Sequence, residues 1–176
     1  NIYSKQDVIK PKSNFFPPGV KVLYSVIDKI VGDENKVLLE GGQVLQYDYL
    51  IIATGTETRP DETPGLKGKL WYKEIFDFYT IEGACALQKY FKNLEGGKLV
   101  MVISEVPYKC PVAPIEFVCL AEAYFTKKGI RDKVDITYVT PMSGAFTKPV
   151  ASKMLGDLLE EKNIKVVPDF NIERVD

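Results

Sequence analysis

The sequence predicts an α/β fold, a parallel sheet with helices wound on it, preceded by a small β-meander. Three observations carry this. Across residues 98–167, short β-branched runs alternate with helical periods in the order β-α-β-α-β, and short connections in that order imply right-handed crossovers between parallel strands. Glycine and proline punctuate each change of period. The chain has 176 residues, 45% hydrophobic and 27% charged, an ordinary globular composition with enough apolar material for a core.

Each element follows from its local pattern. Residues 1–18, with Pro11, Pro17 and Pro18, show no convincing period and read as loop or a short edge element. From Gly19 the β-branched stretch through Val20, Val22, Tyr24, Val26, Ile27, Ile30 and Val31 reads as one long strand. Gly41-Gly42 between two apolar runs signals a hairpin, because paired glycines supply the positive φ of a tight turn. Tyr47-Asp48-Tyr49-Leu50-Ile51-Ile52-Ala53, closed by Thr54-Gly55, is expected to be a strand buried on both faces. A loop containing Pro60, Pro64, Gly65 and Gly68 marks the boundary between two domains, 1–58 and 59–176.

After the boundary the period becomes helical. Ile81, Cys85, Leu87, Gln88 and Phe91 mark a helix over 79–93, stopped by Gly96-Gly97. A strand over 98–104 and a helix over 114–128 ending at Gly129 come next. They are followed by a strand over 134–139, a helix over 150–162 and a strand over 164–167, with a further short strand at 171–175. Cys85 and Cys119 are expected to be helix residues on apolar faces. The basic stretch 127–133 reads as a solvated helix end, where cations are favoured, and the aromatics from Tyr47 to Tyr79 as core or domain-contact residues.

Composition excludes several functions. Lys and Arg number 23 against 24 Asp and Glu, a net charge of −1, so there is no excess cation with which to grip nucleic acid in bulk. There is no histidine, which removes the commonest zinc ligand and general base, so no metal site is expected and hydrolase readings that need a His fail. Three cysteines, an odd number, with no secretory signal recognised in these residues, lead to the expectation of a reducing compartment. The longest aliphatic run, Leu99-Val100-Met101-Val102-Ile103, is far short of the roughly 20 residues of a membrane span. The first residue is Asn, and the chain is expected to be the central piece of a longer polypeptide, itself soluble.

In an open parallel sheet, ligands bind where strands feed into helices. The junction after the 98–104 strand, residues 105–114, holds no glycine, so the G-x-G-x-x-G that lets a backbone approach a pyrophosphate is absent. It offers instead Cys110 just ahead of a helix, beside Lys109 and between prolines. A helix N-terminus and a neighbouring cation both favour a thiolate. Two readings stay open from the local sequence: a reactive thiol, or a small buried hydrophobe in a proline-rich turn.

The run Tyr47-Asp48-Tyr49-Leu50-Ile51-Ile52-Ala53-Thr54-Gly55, followed by Pro64-Gly65-Leu66, resembles a flavin-contact motif of flavoproteins built from two dinucleotide-binding folds. Within that group, Pro107-Tyr108-Lys109-Cys110-Pro111-Val112-Ala113-Pro114 resembles the segment of sulfide:quinone oxidoreductases in which a K-C-x-x-A-P run replaces the NAD glycines. The resemblance covers most of residues 19–167. It implies that residues 1–58 are the β-rich end of an FAD-binding domain, and that 59–176 are an incomplete Rossmann-like second domain that does not bind NAD. Thr54 and Gly55 would lie against FAD, and the backbone at Val26 would meet its adenine. Cys110 would be one of two redox cysteines, with sulfide and quinone as substrates and FAD carrying two electrons between them. The parent would lie on a membrane surface through regions outside this chain. The N-terminal pyrophosphate motif is not in this sequence, and the resemblance places the second redox cysteine outside it, so this chain alone is expected to hold FAD weakly or not at all and to be inactive. The rival readings are a type II NADH:quinone or disulfide-reductase-like flavoenzyme, disfavoured by the glycine-free loop, and a non-catalytic α/β module.

Overall fold

In the computed structural model, which describes residues 3–176, the chain forms two units, Asn1–Thr56 and Glu57–Asp176. The first begins with a one-turn helix α1, Lys5–Val8, and a 3₁₀ turn at Lys12–Phe15. Three antiparallel strands follow, β1 (Ile27–Val31), β2 (Lys36–Leu39) and β3 (Val44–Gln46), in the order β1-β2-β3. Gly41 and Gly42 both take positive φ, +87° and +85°, as the hairpin signal requires. Val37 and Leu39 on the central strand are buried.

Two expectations fail in this unit. Only residues 27–31 of the long β-branched stretch form a strand; Val20, Val22 and Tyr24 are exposed. The run 47–53 is not a strand buried on both faces: it has no regular structure, and Tyr49 is 93% and Ile51 88% exposed. The physical reason is the same for both. A strand is stabilised by its ladder partners and by cover on its faces, and among the described residues neither segment has a neighbouring strand.

The second unit follows the predicted order closely. Helix α2 spans Ile81–Asn93, β4 Gly97–Val102, α3 Ala113–Lys128, β5 Val134–Val139, α4 Pro149–Glu161 and β6 Ile164–Val167. The three strands pair in parallel in sequential order β4-β5-β6, with Leu99 opposite Ile136 and Ile136 opposite Ile164. Sequential order with right-handed crossovers puts both connecting helices on one face of the sheet. That face, through Met101, Ile103, Ile136, Tyr138 and Ile164, shares a single core with Leu87 and Phe91 of α2, Val118 and Phe125 of α3, and Leu159 of α4. On the opposite face Val100 and Val102 are exposed. The strand expected at 171–175 does not form.

The basic stretch 127–133 is not simply solvated. Glycine at 129, with φ +75°, ends α3, and the cations on either side of it turn onto neighbouring helices. Lys128 Nζ donates to the carbonyls of Phe91, Lys92 and Leu94 at the end of α2. Arg131 donates to the carbonyls of Val134 (2.7 Å), Lys162 (2.7 Å) and Asn163 (2.8 Å), closing the end of α4. The last carbonyls of a helix have no intrahelical donor, so a cation placed there satisfies them and complements the helix dipole.

Candidate functional site

The carboxyl end of β4 leads through residues 103–112 into α3, and this junction carries Cys110. The loop has prolines at 107 and 111 and no glycine, and α3 starts without a side-chain cap, with Pro114 in its first turn. Proline is tolerated there because its missing N–H would have had no intrahelical partner. Cys110 lies two residues before the N-cap Val112 and is half-buried, while Lys109, Pro111 and Val112 are exposed. Its carbonyl accepts from the Ala113 amide at 3.3 Å and from the Tyr79 hydroxyl at 3.4 Å. The carbonyl of Pro111 accepts from the Tyr108 hydroxyl at 3.2 Å.

Tyr79 is itself held rigidly. Asp77 Oδ1 accepts from the amides of Tyr79 (3.0 Å) and Thr80 (2.7 Å), and its Oδ2 from the hydroxyls of Thr80 and Tyr72. Thr80 in turn caps α2 by accepting from the Gly83 amide at 2.9 Å. A side chain at 83 would collide with Asp77, whose backbone oxygen lies 2.5 Å from where a Cβ would stand; glycine is the residue that lets this turn close. Phe78 stacks on Phe117 of α3, with ring centroids 4.5 Å apart. Burial, followed by the proximity of Cys110, raises the Tyr79 hydroxyl above the usual phenol range; burial, then Tyr79 and then Cys110 do the same for Tyr108. Both phenols therefore stay protonated hydrogen-bond donors at neutral pH.

The other two thiols differ. Cys119 on α3 is half-buried against the core, and burial pushes its thiol up. Cys85 is exposed rather than on an apolar face. The buried stripe of α2 is Gly83, Leu87 and Phe91, and a residue two positions from Gly83 does not share its face.

In the first unit, Thr54 and Gly55 follow the exposed 47–53 run and are exposed. Gly55 has φ +78°, with no atom within 4 Å of where a Cβ would stand. This is backbone that a flat ligand can approach closely, which fits a cofactor held by main chain. Val26 is 61% exposed, and its carbonyl accepts from the Glu40 amide at 2.9 Å. Cys110 belongs to the second unit and these three residues to the first. Sequence reasoning does not single out Asp77, and it reads Tyr79 as a core or domain-contact residue. The available signal was an aspartate followed three residues later by threonine immediately before a helix, a capping pattern.

Two open grooves of about 880 Å³ lie elsewhere, one across Lys98, Val100, Asp135 and Thr137 on the exposed sheet face, the other between α4 and the 143–147 loop. Neither is lined by Cys110, Thr54 or Gly55. Among the described residues no three Cys, Asp or Glu converge as a metal site, and no helix is long and apolar enough to cross a membrane.

No family model matches the chain. It is 27% identical over 164 residues, 93% of its length, to the mitochondrial sulfide:quinone oxidoreductase of Dictyostelium discoideum. The solved sulfide:quinone oxidoreductase of Aquifex aeolicus superposes with a TM-score of 0.62 over 86% of this chain and 35% of that one, at 23% identity, a likeness of fold. A shorter match, 30% identical over 90 residues, or 51% of this chain and 21% of the relative, is to an NADH dehydrogenase-like protein of Mycobacterium tuberculosis. The likeness to sulfide:quinone oxidoreductases expected from the K-C-x-x-A-P run is thus found over most of the chain. This chain spans 36–40% of the length of three such relatives.

Proposed function

We propose that this chain is the central part of a flavin-dependent sulfide:quinone oxidoreductase, with Cys110 as one of its redox cysteines. The observation that carries the reading is the β4–α3 junction. The ligand-binding edge of a parallel sheet offers a half-exposed cysteine at a helix start, in a glycine-free loop that gives a nicotinamide pyrophosphate no backbone cradle. Residues 1–58 are read as the end of an FAD-binding domain and 59–176 as an incomplete second, Rossmann-like domain. Thr54 and Gly55 would hold the flavin by main chain, and the backbone at Val26 its adenine. FAD would supply a two-electron acceptor that passes its electrons to quinone.

In this reading HS⁻ attacks a disulfide formed by Cys110 and a second cysteine of the longer protein. One cysteine becomes a persulfide as the old S–S bond breaks and the other leaves as a thiolate, an exchange that releases no electrons. Rejoining that persulfide and thiolate through a new S–S bond would release two, and FAD would be the acceptor that passes them to quinone. The longer protein lies on a membrane surface through segments other than these. The isolated chain is expected to hold no stoichiometric flavin and to show no turnover.

The test is an anaerobic titration of the longer protein, following oxidised flavin absorbance. Sulfide should bleach it, and replacing Cys110 by Ser should abolish the bleaching. Bleaching by NADH alone would transfer the assignment to an NADH:quinone enzyme. A flavin indifferent to both, with Cys110 no more reactive than free cysteine, would leave a non-catalytic module.

A further inference from the structure

We propose that Tyr79 and Tyr108 are positioning residues for Cys110: their hydroxyls tie down two successive carbonyls and so fix the direction from which the thiol can be approached. The proposal rests on the reading of Cys110 as a redox cysteine, since a fixed approach has value only for a sulfur that exchanges with a partner.

The direction of the Cα–Cβ bond of Cys110 depends on the peptide planes around it. The plane after it ends in Pro111, whose ring locks φ near −65°. Its carbonyl, that of Cys110, is held by the Tyr79 hydroxyl at 3.4 Å and by the Ala113 amide at 3.3 Å. The next carbonyl, that of Pro111, is held by the Tyr108 hydroxyl at 3.2 Å. With the φ of Pro111 locked covalently and two carbonyls restrained, the backbone that leaves the Cα of Cys110 is held in place. The two tethers come from different places. Tyr108 is part of the loop, whereas Tyr79 reaches it from 31 residues away in sequence, on a segment that Asp77 and Thr80 fasten to the start of α2.

Each hydroxyl has a single proton, and both protons are committed to carbonyls. The phenols therefore do not donate to the sulfur; they act through the backbone. The shorter Tyr108 bond should matter more than the longer Tyr79 one. Cys110 is half-buried while Lys109, Pro111 and Val112 beside it are exposed, and the tethered loop is expected to restrict the approach to its thiol.

The chain contains its own standards for testing this. Cys85 is exposed and Cys119 is half-buried against the core. Alkylation rates at all three are measured in one sample by peptide mass spectrometry, with iodoacetamide and with a pyrene-bearing iodoacetamide of the same chemistry but greater bulk. In the unmodified chain the small reagent should be favoured over the bulky one more strongly at Cys110 than at Cys85. Tyr79→Phe should reduce that preference by about twofold, Tyr108→Phe by about threefold, and the double change by about fivefold or more, the scale of one and two net hydrogen bonds. Cys119 should keep its rate throughout. The proposal is overturned if the unmodified chain shows the same preference at Cys110 as at Cys85, or if the double variant keeps its preference. A parallel rise at Cys119 also overturns it, since that marks general loosening. Neither flavin nor sulfide takes part, so failure of this inference and failure of the sulfide reading show in separate experiments.

Discussion

Two apolar runs of similar texture end in opposite states. Val134–Val139 becomes β5, flanked by a strand on each side, with Val134, Ile136 and Tyr138 at 2%, 2% and 0% exposure. Residues 47–53, richer in Tyr, Leu and Ile, form no strand, with Ile51 88% and Ile52 64% exposed. Side-chain texture states what a segment is able to bury, and neighbours decide whether it does. For β5 both neighbouring strands come from within 40 residues of sequence, while among the described residues no strand pairs with 47–53.

The comparison can be broken most directly by stability measurements on the chain. Phe125→Ala, in a fully buried position against Phe91 and Tyr124, should cost about 3–5 kcal/mol in urea unfolding. Ile51→Ser should change stability by no more than about 0.5 kcal/mol. A cost above about 2 kcal/mol at Ile51 would mean the run is packed in solution. Next in size, Lys128→Met leaves three carbonyls at the end of α2 without their cation and should cost about 2 kcal/mol. Loss of amide-exchange protection should begin at residues 90–94; an unchanged exchange pattern would show the cap to be dispensable.

The smallest effect sharpens the picture of how α3 meets the end of α4. Lys162 Nζ lies 2.9 Å from Glu122 Oε2. That hydrogen bond is the main cause holding the Glu122 carboxyl below its ordinary value of 4.5 and the Lys162 ammonium above its ordinary 10.5. The Glu122 contribution is therefore complete above about pH 4.5 and lost as pH falls through its lowered folded value. The Lys162 contribution is present below 10.5 and lost as pH rises through its raised folded value. For a partly exposed pair the total should be under about 1 kcal/mol. Glu122→Gln should flatten both the acid and the alkaline limb of stability against pH; unchanged limbs would show the pair contributes nothing.

The second unit was legible because its stabilising partners are near in sequence. The strands over 134–139 and 164–167, and the helix ending at Gly129, fall where period and punctuation put them. The first unit was less so, because residues 20–26 and 47–53 carry strand texture without strand partners among the described residues. At the site, Cys110 stood out by its place before a helix. Tyr79 did not, since its hydroxyl acts on a carbonyl 31 residues away, a pairing no local pattern encodes. Cys85 was misplaced because an apolar residue type was counted into a stripe whose true first member is Gly83.

The turn at Gly129 sets a rule about chain length. Within the stretch 128–131, one cation reaches back to the end of α2 and another forward to the end of α4. Substitutions at Lys127, Asp132 or Lys133 leave both reaches intact. Inserting or deleting a single residue between 128 and 131 would rotate the two cations relative to each other and uncouple both helix ends at once. The positions flanking this segment should accept changes of letter while its own spacing should not change, so an insertion scan across 125–135 would show a sharp gap in tolerance at its centre.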